Sequence, residues 1–301
     1  MVKFADAATA ATKKATRAAY GATLAELAAE GLPVVAVDAD LSGSTTTKKF
    51  AAAAPEYAGR LFNAGIAEQN MIGVAAGLAA TGHIAFTGSF AVFGTGRAYD
   101  QIRNTVCYSK LNVKIAPTHA GVSVGHDGGS HQMLEDVALM RELPGMRVLV
   151  PADYAAARAA LKLAAKTEGP VYVRMGRASV PCVYADDVEL EIGKAYVLRE
   201  GTDVTIIANG VEINEACKAA EALAAEGISA EVIDAFCVKP LDAETILASV
   251  AQPAAPWWPR STPSTAVSAA LWPSSWPRTS PFPASSWRCG IASASPESLV
   301  N

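Results

Sequence analysis

The chain of 301 residues has no apolar run approaching the ~18 residues that a membrane-crossing helix needs. It has no large excess of either charge. Its 25 Lys and Arg stand against 29 Asp and Glu, a net charge of −4. That leaves no electrostatic footprint for nucleic acid or for an anionic membrane surface. Cysteine is sparse, and no two of Cys107, Cys182, Cys217, Cys237 and Cys289 have metal-ligand spacing. The first four lie in apolar surroundings, so the set reads as reduced, mostly structural thiols of a cytoplasmic protein. The opening MVKFADAATAATKKATR lacks the apolar core of a secretory signal. What remains is a mildly acidic, half-apolar chain long enough for two domains.

Short apolar strands alternate with helical patterns through residues 1–182. Strands are predicted at Val34–Val37, His83–Thr87, Val113–Ala116, Arg147–Val150 and Pro170–Arg174. Helices are predicted at Thr12–Glu30 (Tyr20, Leu24, Leu27, Ala28), from near Glu68 (Met71, Val74, Ala75, Leu78), within Met133–Met146, and at Pro151–Lys166. This alternation predicts an α/β domain built on a doubly wound parallel sheet. Residues 183–191 read as a polar linker. Residues 192–250 read as a second α/β unit, with strands in Gly193–Leu198, Val204–Ala208 and Ala230–Ile233 and helices at Val211–Glu226 and Asp242–Val250.

Several stretches combine groups that carry chemistry. LFNAGIAEQNM (Leu61–Met71) holds one carboxylate, Glu68, at a helix start, where it also suits the positive end of the helix dipole. Asp38 to Ser44 follows a strand, which is the edge of an α/β sheet where ligands bind. Asp and Ser there would equally suit an ordinary helix cap. Phe90 and Phe93 read either as a core stripe or as two rings able to clamp a flat heterocycle. His119, His126 and His131, three of the four histidines, share a glycine-rich loop. Histidines titrate near neutrality and can pass protons to hydroxyls and carbonyls. A zinc site would want closer spacing and Cys or carboxylate partners. Arg17 and Arg174 read either as phosphate ligands or as surface cations.

Over residues 10–250 these words resemble the transketolase superfamily. AEQN matches its glutamate motif. RAYDQ (Arg97–Gln101) is similar to 1-deoxyxylulose-5-phosphate synthase and to the β subunits of oxo-acid dehydrogenases. THAGVSVGHDGGSHQ resembles the transketolase pattern T-H-x-x-x-x-x-G-E-D-G-x-T-H-Q, with His126 where the family has Glu. LEDVALMRELPGM is also family-like. The resemblance implies thiamine diphosphate as cofactor and ketol transfer between sugar phosphates, as in the pentose phosphate pathway. It implies that Glu68 hydrogen-bonds the cofactor's aminopyrimidine and supports its imine tautomer, while Phe90 and Phe93 hold that ring. Asp40 would help bind the cofactor near a partner chain. Arg17, Ser44 and Arg174 would contact the sugar phosphate, His119 and His131 would bind and protonate substrate, and Asp127 would read the donor's hydroxyl stereochemistry.

No G-D-G occurs to bind diphosphate and Mg²⁺. The chain therefore resembles the C-terminal subunit of a split transketolase. The expected partner is an N-terminal subunit holding most of the Mg²⁺ ligands, in a heterotetramer. Two alternatives stay open: half of another thiamine enzyme, or a non-catalytic partner-binding subunit. Residues 251–301 break the pattern. From Gln252 on they hold all five tryptophans and nine of the 17 prolines, with no Lys or Asp. This tail reads as out-of-frame translation of a GC-rich gene, and the second domain as truncated.

Overall fold

The computed structural model describes residues 3–250. The unusual tail, Cys289 within it, lies outside them. In chain order the strands are β1 (Lys13–Ala15), β2 (Val34–Asp38), β3 (Leu61–Asn63), β4 (Ile84–Gly88), β5 (Val113–Ile115) and β6 (Arg147–Leu149). They continue with β7 (Val171–Val173), β8 (Ser179–Pro181), β9 (Tyr196–Arg199), β10 (Val204–Ala208), β11 (Ala230–Asp234) and β12 (Cys237–Lys239). The main sheet has the order β12-β6-β7-β5-β4-β2-β3. All its pairings are parallel except β12 with β6. Strand order reverses between β2 and β4, which makes that crevice the topological switch point.

Both faces of this sheet are buried, as apolar runs without polar alternation require. Val34 and Ala36 of β2 enter one apolar cluster, with Tyr20, Leu24, Phe50 and Leu161. Val35 and Val37 enter the other, with Met71, Ile72, Ile102 and Met140. Each fully buried Val, Leu, Ile, Phe or Met side chain among them contributes about 1.5–3 kcal/mol. The smaller sheet is β10-β11-β9, with β10 parallel and β9 antiparallel to β11. Among the described residues no helix is long and apolar enough to cross a membrane.

Three local readings change. The predicted helix from Thr12 begins instead as strand β1 and a 3-10 turn, Thr16–Ala19, before the helix Tyr20–Ala29. Pairing of β1 with β8, and exchange between the Thr16 hydroxyl and the Gly176 backbone, capture its polar end. The helix expected within Met133–Met146 is only Asp136–Glu142, ended by Leu143 in extended conformation before Pro144. After Phe90 the chain forms two π-helical turns, Val92–Arg97 and Ile102–Cys107, around Tyr99–Gln101.

Residues 183–191 are no solvated linker. Tyr184, Val188 and Leu190 are buried. Asp153 accepts hydrogen bonds from the backbone N–H groups of Val183 and Tyr184. The Tyr184 hydroxyl donates to Asp234 at 2.7 Å, joining the two units. Burial first, and Asp153 second, push the Asp234 carboxyl up to about 8.

Candidate functional site

Five loops leave the carboxyl ends of the parallel strands on one edge of the sheet, and the candidate residues ride on them. After β2, the buried Asp38 ties its own loop into a knot. It accepts from the Leu41 N–H at 2.6 Å and from the hydroxyls of Thr45 and Thr47 at 2.9 and 2.8 Å. Burial raises its carboxyl above the ordinary range, against these hydrogen bonds. Gly88 lies against this knot: a Cβ there would stand 2.4 Å from Asp38 Oδ2. Asp40 follows with φ 62°, exposed, its N–H donating to Asn63 Oδ1 at 3.1 Å. Arg17 reaches the same loop and donates to the Ser44 carbonyl at 2.5 Å.

After β3, Glu68 opens the helix Glu68–Ala80 and is only 2% exposed. Arg97 donates through Nη1 to its Oε2 at 2.9 Å, while the arginine side chain is half exposed. The same guanidinium stands 4.6 Å over the ring of Phe93. A planar, N–H-bearing group thus already rests between a carboxylate and an aromatic face. The corner fits the aminopyrimidine that the resemblance implies.

After β4, Phe90 and Phe93 stack with centroids 6.1 Å apart. Phe90 also stacks on His119 at 3.8 Å, and His131 meets Phe93 edge-on at 5.2 Å. After β5, His119 takes φ 61°, a strained backbone for a residue other than glycine. It is 2% exposed, and its Nδ1 pairs with the Thr118 hydroxyl at 2.7 Å. Burial, with Arg17 next, pulls its pKa down to about 4, and Arg177 and His131 act the same way against Asp127. His119 is therefore neutral at neutral pH, contrary to the expectation that it titrates there. It can exchange hydrogen bonds with substrate without carrying charge. His131 is less buried and pairs with the Ser130 hydroxyl at 2.9 Å. Asp127 and His126 are exposed on the loop.

After β7 the two arginines have different fates. Arg174, expected at phosphate, is committed elsewhere: Nε and Nη2 donate to the fully buried Asp136 at 2.7 and 3.3 Å. Asp136 also accepts from the Tyr172 hydroxyl at 2.5 Å. Nothing in the sequence marks Arg177, yet its charge bears on both Arg17 and His119. Burial and then the neighbouring Arg177 lower the Arg17 pKa, a sign of two like charges held close. Arg177 also holds the histidine loop through the Val124 carbonyl. Gly125 has φ 81°, a backbone that favours glycine, and a Cβ there would come within 2.8 Å of the flexible end of Arg177. The signal for this assignment lay in Asp136, a carboxylate in an apolar helix that needs a buried cation. Arg97 belongs to the RAYDQ stretch, and nothing in its spacing to Glu68 tells that the two meet.

The structure gathers Phe90, Phe93, His119 and His131 in one stacked cluster, with the charges of Arg17 and Asp127 close enough to act on His119. It places Glu68 beside them through Arg97, and Asp40 and Ser44 on the adjoining loop. Arg174 alone is turned to a structural pair. Among the described residues no group of three or more His, Cys, Asp or Glu side chains has the geometry to hold a metal ion.

An α/β sheet with polar and aromatic candidate groups on loops flanking its switch point defines a ligand-binding class rather than one protein. Comparison with known proteins narrows it. The family "Transketolase, pyrimidine binding domain" matches residues 12–183, and "Transketolase, C-terminal domain" matches residues 193–255. The chain belongs to the transketolase family. It is 52% identical over 235 residues to a putative transketolase C-terminal section of Methanocaldococcus jannaschii, covering 77% of this chain and 73% of that one. It is 45% identical over 233 residues to a 6-deoxy-6-sulfo-D-fructose transketolase subunit of a Clostridium strain, covering 77% and 71%. Among solved structures it resembles one described as "Split gene transketolase, inactive beta4 tetramer". That likeness has a TM-score of 0.75 and 48% identity, covering 87% of each chain.

Proposed function

We propose that this chain is the C-terminal subunit of a two-chain, thiamine-diphosphate-dependent transketolase that moves a two-carbon ketol unit between sugar phosphates. The observation that carries the reading is the buried Glu68 at a helix start beside Phe93, on the same sheet edge as the neutral His119 and the Arg17–Arg177 pair. The cofactor, when bound, supplies the nucleophilic carbon that accepts the ketol unit. Glu68 would hydrogen-bond the aminopyrimidine ring. Phe90 and Phe93 would fix its plane, and Asp40 would meet the cofactor where the partner chain approaches. His119 would exchange hydrogen bonds with substrate hydroxyls as a neutral imidazole, while the more accessible His131 carries the proton transfers. Asp127 would select hydroxyl stereochemistry. Arg17 and Arg177, with Ser44, would grip the terminal phosphate. Two guanidiniums without an intervening carboxylate suit a dianion.

The diphosphate and its Mg²⁺ would lie mainly on the N-terminal partner subunit. The likeness to an inactive β4 tetramer supports self-association of this chain and dependence of activity on that partner. Free, mostly buried thiols fit a cytoplasmic setting. A second substrate class has its own support in the relative named for a sulfo-sugar, because an arginine pair accepts a sulfonate as well as a phosphate.

The test is reconstitution with the partner subunit and product analysis. Xylulose 5-phosphate with an aldose phosphate should give ketol-transfer products, and pyruvate should give none. Turnover of pyruvate alone would reassign the chain to another thiamine enzyme. Preference for a 6-sulfo ketose over the phosphate would move it to the sulfonate class.

A further inference from the structure

Arg97 is planar, cationic and half exposed, and its guanidinium makes two contacts, one with Glu68 at 2.9 Å and one over Phe93 at 4.6 Å. A flat aminopyrimidine would need the same two, a face on the ring and an N–H toward the carboxylate. Two planar groups cannot lie on the same face of Phe93 and take the same Glu68 oxygen together. We propose that Arg97 is a gate: it holds the pyrimidine seat closed in the free chain and swings into solvent when the cofactor enters. This rests on the thiamine reading above.

The local structure suits a moving side chain on a fixed backbone. Arg97 ends the π-helical turn Val92–Arg97, the kind of irregular helix that recurs at functional sites. Its carbonyl accepts from Gln69 Nε2 at 3.3 Å, which anchors the backbone to the Glu68 helix. The next residue, Ala98, is fully buried. Among the described residues the side chain has one hydrogen bond and one cation–π contact, both at the seat, and half of it is in water. Contrast Arg174, whose carboxylate is bound twice by it and once by Tyr172 at full burial. Arg97 holds Glu68 by one hydrogen bond and lies half in water, so a planar donor that satisfies the buried carboxylate in its place can displace it.

Calorimetric titration with thiamine diphosphate at saturating Mg²⁺, on the complex reconstituted with the partner subunit, tests the gate directly. Arg97→Met removes the competitor, so its Kd should fall about 5- to 10-fold below wild type, in line with the strength of the two contacts. Arg97→Lys keeps the charge but not the plane and should fall between; it also serves if Arg97→Met does not fold. In a Glu68→Gln background the gain from Arg97→Met should largely vanish, because the pair acts as a unit. A structural support would move the other way and weaken binding. Unchanged or weaker binding by both Arg97 variants would overturn the gate. Failure of the wild-type complex to bind thiamine diphosphate would overturn the thiamine reading, and the gate with it.

Discussion

Two carboxylate–arginine pairs in this molecule use the same chemistry to opposite ends. Asp136 is fully buried and saturated by two nitrogens of Arg174 and the Tyr172 hydroxyl, and the arginine is 12% exposed. Glu68 is nearly as buried, yet its arginine gives one hydrogen bond and is half in water. The first pair joins a helix to β7, and breaking either partner strands a charge. The second can trade its arginine for another planar donor. Burial of a carboxylate alone therefore does not mark a catalytic site; the openness of its partner separates the two.

The sharpest way to break the comparison is Asp136→Ala. It leaves the Arg174 charge and the Tyr172 hydroxyl buried without their acceptor, and should destabilise the chain by about 3–5 kcal/mol, read as a fall in the urea midpoint. A loss under about 1 kcal/mol would mean that this pair is no more sealed than Glu68–Arg97. Next comes the division of labour between arginines. Arg177→Ala should raise KM for a sugar phosphate by about 10- to 100-fold with a smaller change in kcat, as loss of a charged hydrogen-bond donor implies. Arg174→Met should lower the melting temperature instead, with no selective rise in KM. The reverse pattern would return phosphate binding to Arg174.

The smallest effect expected is a pH dependence. His119 has its pKa depressed to about 4 by burial, from the usual 6.5. The unfolded chain therefore binds more protons than the folded chain between those values. The contribution of a neutral His119 is fully present above pH 6.5 and is lost as pH falls toward 4. Urea melts across that window should show wild type losing about 1–2 kcal/mol more than His119→Asn, allowing for partial screening. Parallel curves would contradict the buried, neutral assignment.

Much of this was legible in the chain. The run Val34–Val37 told of a strand buried on both faces, because no polar residue alternates through it; Val113–Ala116 is interrupted by Lys114, which the fold buries all the same. The glycine-rich histidine loop told of a ligand edge. Other features depend on contacts distant in sequence. Arg174 and Arg177 differ only in whether Asp136, 38 residues before Arg174, can reach them. β12 joins the first domain's sheet by pairing with β6, which no local pattern in Cys237–Lys239 announces. Residues 183–191 look polar by composition, and only Asp153 and the Tyr184–Asp234 contact make them structural. His119 gave no sign of its depressed pKa, because burial and the nearby Arg17 come from the fold.

The central claim is that Glu68 serves a cofactor and not merely its helix. The most direct measurement is the initial rate of ketol transfer from xylulose 5-phosphate by the reconstituted complex carrying Glu68→Gln, with its melting temperature measured alongside. The claim requires a rate loss of about 10²-fold or more, the scale of a lost proton-handling group, at nearly unchanged melting temperature. Turnover close to wild type would contradict it and leave Glu68 a helix-terminal carboxylate paired with Arg97.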